Sequence, residues 1–230
     1  MISNNKIGVV LPAGGVGRRF GADKPKQLLH INGVEVYRHC VNTFLLLSYI
    51  DQIVFVCPEP YRKQFQDEFS SESRVTVVVG GEHRWQSVRN GVNALERDVT
   101  YVLAHDVARP FVSEVIIKDV IHSVMDKGAT IVAKPVTDTV KVVKDGLVTE
   151  TIDRSTVFLA QTPQAFAVEE LKRAYLEVEE DTSFIPTDEA SIFEKIGKTV
   201  HVVSGDEWND KITTPVDLQR FEQMLREKNG

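Results

Sequence analysis

Short runs of β-branched residues alternate along the chain with stretches whose apolar residues recur every three or four positions. The first pattern predicts buried strands, at 7–12, 52–58, 74–81, 101–106 and 130–136. The second predicts amphipathic helices, which begin at Val34, cover 60–69, include Val88 and Val92, and cover 115–124. Strands that alternate with helices indicate βαβ units. The pattern therefore predicts an α/β, Rossmann-like fold, in which a mostly parallel twisted sheet carries helices on both faces.

The alternation breaks at 138–152, where two alternating apolar runs flank Asp145-Gly146. Asp-Gly between such runs is typical of a tight hairpin turn. Two interpretations are open, an inserted arm that contacts another subunit and an antiparallel edge of the main sheet. We see no repeat, low-complexity segment or linker, so we predict a single domain over 1–230 with a β-arm at about 137–154.

The last third of the chain returns to strands and helices. The pattern predicts strand and loop over 157–166 and a helix over 168–175. Thr187 is the predicted N-cap of a helix that ends at Gly197. A strand follows near 200, and Thr214-Pro215 begins the closing helix.

Composition narrows the classes of function. The 230 residues are 42% hydrophobic and 26% charged, with a formal net charge of -6. General nucleic-acid binders are normally basic, so we expect phosphate binding to be confined to a local cationic pocket. The two cysteines lack metal-ligand spacing and indicate buried thiols in a reducing compartment. We find no membrane span or signal peptide in the sequence and expect a cytoplasmic protein.

The stretch "LPAGGVGRRFGADKPKQ" at 11–27 directly follows the first predicted strand. Close glycines let several backbone N–H groups turn toward one anion. Four cations accompany the glycines, namely Arg18, Arg19, Lys24 and Lys26. The stretch lacks the Walker pattern G-x-x-x-x-G-K-[ST], and Phe20 stands where a dinucleotide fingerprint needs its third glycine. A nicotinamide oxidoreductase is therefore disfavoured.

Two further motifs carry polar residues at predicted strand ends. In "AHDVARP", Asp106 could hold Mg²⁺ against phosphates, or it could cap the next helix or pair with Arg109. In "GGEHRWQS", Glu82 and Ser87 could contact a ribose and base. The alternative for this second motif is a plain strand-to-helix turn.

The combination L-P-A-G-G-x-G-x-R with P-K-Q resembles the signature loop of nucleotidyltransferases that join an NTP to a sugar or polyol phosphate. Further motifs are "DTVK", "DRS", "AQTPQAF", "TDEAS" and "NDKITTP". With them, the chain resembles the 2-C-methyl-D-erythritol 4-phosphate cytidylyltransferase family over 9–218. Ribitol-5-phosphate cytidylyltransferases share the opening loop and "QTPQ", but "PVTDTVK" and "TDEAS" favour the erythritol type. The chain departs from the family pattern where "PAGG" replaces "PAAG" and Glu82 replaces Asp.

The resemblance implies that CTP reacts with a polyol phosphate to give a CDP-linked polyol and pyrophosphate. It also implies a divalent cation, Mg²⁺, as cofactor. The catalytic positions that it implies are Arg19 and Lys26 at the CTP phosphates and Arg154 and Lys211 at the polyol phosphate. The implied nucleotide contacts are Ala13, Gly14, Gly15, Gly17, Gly81, Glu82 and Ser87. The implied substrate contacts are Asp106, Arg109, Thr139, Thr162 and Thr187, with Asp106 also the metal ligand.

The resemblance also implies a homodimer in which the arm crosses to the partner subunit, so that each site borrows Thr139 and Arg154 from its neighbour. A nucleotide-binding sensor without turnover is the alternative outside the enzymes. A sensor has no need of the residues that hold the attacking substrate, and this argues against it.

Overall fold

Seven strands form the central sheet of the protein, whose computed structural model describes residues 5–14, 26–179, 181 and 183–229. The strands within these ranges are β1 (Lys6–Pro12), β2 (His30–Ile31), β3 (Val34–Glu35), β4 (Gln52–Cys57), β5 (Val75–Val79), β6 (Val99–Ala104), β7 (Ala129–Pro135), β8 (Val140–Lys144), β9 (Leu147–Ile152), β10 (Phe158–Ala167) and β11 (His201–Ser204). The order in the central sheet is β11-β7-β10-β6-β1-β4-β5. Strand β10 is antiparallel to β6 and β7, and the other neighbouring pairs are parallel. The predicted mostly parallel sheet is confirmed.

Helices cover both faces of this sheet, as predicted. They are α1 (Val36–Leu45), α2 (Arg62–Glu68), α3 (Arg84–Asn93), α4 (Glu114–Lys127), α5 (Val168–Glu179), α6 (Glu189–Lys195) and α7 (Pro215–Asn229). Successive side chains of a strand point to opposite faces. Accordingly Ile7, Val9 and Leu11 pack with α1, α2 and α4, whereas Val10 packs with α3, α5 and α6. None of the helices in the described part of the chain is long and apolar enough to cross a membrane.

The strand order reverses at β1, which fixes where a ligand can bind. From β1 the chain passes to β4 and β5 on one side, and it then returns to β6 on the other side. Ligands of open α/β sheets bind at such a switch point, beyond the carboxyl ends of the strands. Helix α3 lies directly over β1, because a Cβ atom at Gly91 would stand only 2.4 Å from Cγ1 of Val10.

The hairpin forms a two-stranded sheet of its own from β8 and β9, separate from the central sheet. The edge-strand interpretation is therefore wrong. The hairpin is an insertion, and its contact with another subunit stays a prediction. Asp145 and Gly146 have φ angles of +51° and +79°, as a tight turn of this kind requires. Large apolar side chains on the hairpin stay exposed, among them Leu147 (71%) and Val148 (62%). That 1–230 forms a single domain stays a prediction.

The predicted N-cap of α6 is wrong by one residue. Asp188 is the N-cap, and its Oδ1 accepts a hydrogen bond from the backbone N–H of Ser191 at 3.0 Å. A carboxylate next to a threonine competes well for this position, since it adds a favourable charge at the positive end of the helix. The helix predicted to begin at Val34 begins at Val36, because Val34 and Glu35 pair with His30 and Ile31 in a short hairpin.

Candidate active site

A cleft of about 290 Å³ opens at the switch point, beyond the carboxyl ends of β1, β5 and β6. The described residues that line it are Pro12, Ala13, Gly14, Gln27, Gly81, Glu82, His83, Arg84, Ser87, Asp106, Val107, Ala108 and Lys211. The cleft thus brings together seven of the predicted site residues, namely Ala13, Gly14, Gly81, Glu82, Ser87, Asp106 and Lys211.

The segment after β1 forms one wall of the cleft. The backbone N–H of Ala13 donates to the carbonyl of Val56 at 2.7 Å, and Nε2 of Gln27 donates to the carbonyl of Ala13 at 2.5 Å. Lys26 begins the short 3-10 helix Lys26–Leu28 that carries Gln27. The predicted residues Gly15, Gly17 and Arg19 lie outside the described residues.

The glycine turn between β5 and α3 forms the opposite wall. Oγ of Ser87 accepts a hydrogen bond from the N–H of Gly81 at 3.0 Å. A Cβ atom at Gly80 would stand 2.7 Å from this Oγ, and one at Gly81 would stand 2.4 Å from Cβ of Gln86. The turn therefore needs both glycines to approach α3 this closely. Because α3 begins at the cleft, its positive N-terminal end favours an anion there.

Asp106 lies at the centre of the cleft, just beyond β6, and is buried. Its Oδ1 accepts from Nε of Arg84 at 2.9 Å, and its Oδ2 accepts from Nζ of Lys211 at 2.5 Å. Burial alone would raise the pKa of Asp106, but Arg84, Lys211 and Arg109 hold it well below its usual range. The carboxylate is therefore ionised. Its hydrogen bonds come from Arg84 and Lys211 and not from a helix N-terminus or the Arg109 guanidinium, which acts on it through charge alone.

Arg84 also contacts a second buried acid. Its Nη1 donates to both carboxylate oxygens of Glu189, at 2.7 and 3.0 Å. Both residues lie within motifs of the sequence, "GGEHRWQS" and "TDEAS", but neither has a predicted role. Their charges, within motifs rich in small and polar residues, were the signal that could have indicated a role. Their pairing could not be predicted, because the two residues are 105 positions apart and only the fold brings them together.

Arg109 and Thr162 lie beside the cleft, and their side chains form hydrogen bonds with backbone groups. The guanidinium of Arg109 donates to the carbonyls of Asn209 (2.7 Å) and Ala160 (3.3 Å). It lines a neighbouring cavity of about 270 Å³, which Lys211 also lines. Oγ1 of Thr162 accepts from the backbone N–H of Asp106 at 3.0 Å. Both side chains thus hold backbone near Asp106.

Thr139, Arg154 and Thr187 line neither of these two cavities, and neither does Thr162. Nη1 of Arg154 donates to the carbonyl of Thr137 at 2.6 Å at the exposed base of the hairpin. Thr139 and Thr187 are exposed as well. Within one chain these three side chains therefore do not line the cleft that holds Asp106.

A divalent cation fits this site only together with a ligand that supplies oxygen atoms. Among the described residues, no group of three or more His, Cys, Asp or Glu side chains is arranged to hold a metal ion. Asp106 and Glu82 are the two carboxylates that line the cleft. Mg²⁺ commonly binds one or two carboxylates plus substrate phosphates, so this donor set fits an ion bound with a polyphosphate.

A switch-point cleft that combines two glycine turns with paired cations and carboxylates is typical of α/β enzymes that bind nucleotides. The family model of 2-C-methyl-D-erythritol 4-phosphate cytidylyltransferase (IspD) matches residues 7–227. The chain belongs to this family, so the resemblance seen in the sequence is confirmed.

Relatives and solved structures agree over nearly the full length. The chain is 40% identical to the 2-C-methyl-D-erythritol 4-phosphate cytidylyltransferase of Bacillus thuringiensis (strain Al Hakam), over 94% of this chain and 96% of that protein. It is 38% identical to the protein of the same name from Geotalea uraniireducens (strain Rf4), over 98% and 99%. The crystal structure of 4-diphosphocytidyl-2C-methyl-D-erythritol synthase from Anaerococcus prevotii superposes with a TM-score of 0.86 at 28% identity, covering 98% of each chain.

Proposed function

We propose that the protein joins CTP and 2-C-methyl-D-erythritol 4-phosphate, giving 4-diphosphocytidyl-2-C-methyl-D-erythritol and pyrophosphate, a step of isoprenoid precursor synthesis. One observation carries the proposal beyond family membership: the cleft places an ionised Asp106 between two cations, Arg84 and Lys211. A site for two phosphate compounds needs this mixture of charges, because cations offset phosphate repulsion and a carboxylate can hold a bridging metal ion.

In the proposed reaction, a phosphate oxygen of the methylerythritol phosphate attacks the α-phosphorus of CTP. A new P–O bond forms, the bond to the oxygen that bridges the α- and β-phosphorus breaks, and pyrophosphate leaves with the electron pair. Negative charge builds on the non-bridging oxygens and on the leaving group. Positioning and preorganised charge therefore supply most of the rate enhancement, and no covalent enzyme intermediate is needed.

The nucleotide is proposed to lie between the two glycine walls of the cleft. Backbone near Ala13, Gly14 and Gly81, together with Ser87, would contact the base and ribose, with Glu82 at the rim. The start of α3 faces the same space and favours the phosphates. Lys26 and, outside the described residues, Arg19 are proposed to stabilise the α-phosphate during transfer.

The acceptor phosphate is proposed to bind on the side of Lys211. This lysine lines both the cleft and the neighbouring cavity that Arg109 lines, so it connects the two spaces. Mg²⁺, held by Asp106, would offset charge on the CTP phosphates when it binds. Thr162 keeps the backbone N–H of Asp106 in place.

We further propose a homodimer that completes each site. Arg154 and Thr139 lie at the base of the hairpin and do not line the cleft of their own chain. The hairpin also exposes apolar side chains such as Val143 (58%) and Leu147 (71%). An exposed apolar surface of this kind favours burial against a partner. The hairpin of one subunit would then bring Arg154 and Thr139 to the cleft of the other.

We place the protein in the cytoplasm. Both cysteines, Cys40 and Cys57, are free and buried. Burial raises the pKa of the Cys57 thiol to about 11, so the thiol stays protonated and unreactive near neutral pH. Buried free thiols without a disulfide are typical of a reducing compartment.

The test measures pyrophosphate release from CTP and Mg²⁺ with either 2-C-methyl-D-erythritol 4-phosphate or ribitol 5-phosphate as acceptor. We expect strong preference for the methylerythritol compound. Preference for ribitol 5-phosphate would show that the proposed acceptor is wrong and that the proposed cytidylyl transfer is right. CTP binding without turnover of either acceptor, or of other NTPs and polyol phosphates, would support the nucleotide sensor instead.

A further inference from the structure

Glu189 is a fully buried carboxylate that does not line the cleft. It is the first residue of α6, and residues of β10 and α5 contact it. Oε1 of Gln164 accepts hydrogen bonds from the backbone N–H groups of Glu189 (3.1 Å) and Ala190 (3.2 Å). The hydroxyl of Tyr175 lies 3.4 Å from Oε1 of Glu189. The position of this carboxylate is therefore set by β10, α5 and α6.

The Arg84 guanidinium connects this carboxylate to the cleft through two of its edges. Nη1 donates to Glu189 at 2.7 Å, and Nε donates to Oδ1 of Asp106 at 2.9 Å. The remaining nitrogen, Nη2, is buried and has no hydrogen-bond partner among the described residues. The orientation of the guanidinium thus depends on the two carboxylates.

The free-energy cost of burying the Glu189 carboxylate indicates a role beyond stability. A buried carboxylate is unfavourable unless it is paired, and a well-packed apolar side chain of similar volume often stabilises a fold as well or better. Without Glu189, Arg84 would be free to turn its Nη edge toward Asp106 or toward a phosphate in the cleft. With Nη1 held by Glu189, Arg84 donates Nε to Oδ1 of Asp106, and the other oxygen of Asp106 binds Lys211.

From this geometry we infer that Glu189 is a positioning residue for the nucleotidyl transfer, acting through Arg84 on the Asp106 carboxylate. The inference rests on the proposed function, because it gives Asp106 its task in the cleft. It also links α6, whose first turn follows Thr187, to the centre of the site. A small shift of a charged group in such a site can cost about 10²-fold in rate.

The test is a double-mutant cycle with Glu189→Gln, Arg84→Gln and both together, measured as kcat/KM and as the Kd for CTP by calorimetry. We expect Glu189→Gln to lower kcat/KM by about 10- to 100-fold. We expect it to have no further effect once Arg84 is Gln, since the two residues act in series. Glu189→Asp keeps the charge, so it should recover part of the lost activity.

Val124→Ala is the matched control, because Val124 is fully buried in α4 on the opposite face of the sheet. It should lower the Tm and keep kcat/KM within about twofold of the wild type at a temperature where it stays folded. The inference would be overturned if the losses of kcat/KM caused by the two Gln substitutions multiplied in the double variant. It would also be overturned if Glu189→Gln lost no more activity than Val124→Ala does for the same drop in Tm.

Failure of the proposed function gives a different result. A wild-type protein that binds CTP but does not turn over methylerythritol phosphate refutes the function, while the cycle in the Kd for CTP still tests Glu189. Non-additive changes in Kd would then support the positioning role, and additive changes would overturn it. A wild type that does not bind CTP overturns both proposals.

Discussion

The ammonium of Lys211 donates to Oδ2 of Asp106 at 2.5 Å, although the two residues are 105 positions apart in the chain. This contact joins the segment before α7 to the end of β6. Lys211 is also the residue that the two cavities share. If the acceptor phosphate binds beside Lys211 as proposed, it would compete with Asp106 for this ammonium.

Asp106→Asn keeps the shape of the side chain and removes its charge from between Arg84 and Lys211. We expect turnover to fall by about 10²- to 10³-fold, because a preorganised charge contact is lost. Steady-state kinetics with circular dichroism as a folding check would measure this. Asp119→Asn, at an exposed position of α4, makes the same chemical change away from the cleft and should leave activity intact. Activity of Asp106→Asn close to that of the control would remove Asp106 from the mechanism.

Mixed subunits test the proposed dimer. Lys26→Ala and Arg154→Ala should each be nearly inactive, since the cation lost from each would face a phosphate. If each site combines Lys26 of one chain with Arg154 of the other, mixed dimers contain one intact site and regain part of the activity. Size-exclusion chromatography of labelled subunits would confirm the exchange. Complete exchange without any rescue contradicts the shared site.

The pH dependence of stability should carry the signature of His105. Burial lowers the pKa of this imidazole to about 4 in the folded protein, from an ordinary value of 6.5. Because the unfolded chain binds the proton first, the stabilising contribution is full above about pH 6.5 and is lost as the pH falls toward 4. The slope is at most about 1.4 kcal/mol per pH unit.

Denaturant unfolding at pH 7, 6 and 5 would measure this slope in the wild type and in His105→Gln. The other five histidines are common to both proteins, so the difference in slope belongs to position 105. Equal slopes would mean that the imidazole is as easily protonated in the folded chain as in the unfolded one.

Gly91→Ala should destabilise the fold by about 1–3 kcal/mol through overpacking. The added Cβ would stand 2.4 Å from Cγ1 of Val10 and 3.0 Å from Cγ2 of Val56, and both partners belong to buried strands. Asn93→Ala makes an alanine at an exposed position of the same helix and should be neutral or mildly stabilising. Chemical denaturation compares the two, and equal stabilities would show that α3 can move away from β1.

Much of the fold could be predicted because its signals are local. The β-branched runs and the Asp145-Gly146 turn mark strands and a hairpin within a few residues of sequence. The antiparallel direction of β10 could not be predicted in this way, since it depends on pairing with β6 and β7, which are distant in the chain. The N-cap of α6 was missed by one residue because Thr187 and Asp188 are both good caps.

The residues of the site divide in the same way into those that local motifs indicate and those that depend on distant pairing. Family motifs indicated Asp106, Ser87 and Lys211, and the cleft contains all three. The partners of Asp106 were not indicated: Arg84 is 22 positions away and Lys211 is 105 away. Such pairs depend on which strand ends lie side by side. That Thr139 and Arg154 reach a cleft by way of a second chain stays a prediction.

The hairpin leaves the central sheet after β7 and returns to it at β10, and these two strands are direct neighbours with Pro135 opposite Phe158. The segment 136–157 therefore starts and finishes at almost the same point of the fold. Its length and sequence can change during evolution while the register of the sheet and the cleft stay as they are. Insertions or deletions near the Asp145-Gly146 turn would therefore leave both ends of the segment in place, including Thr139 and Arg154 at its base.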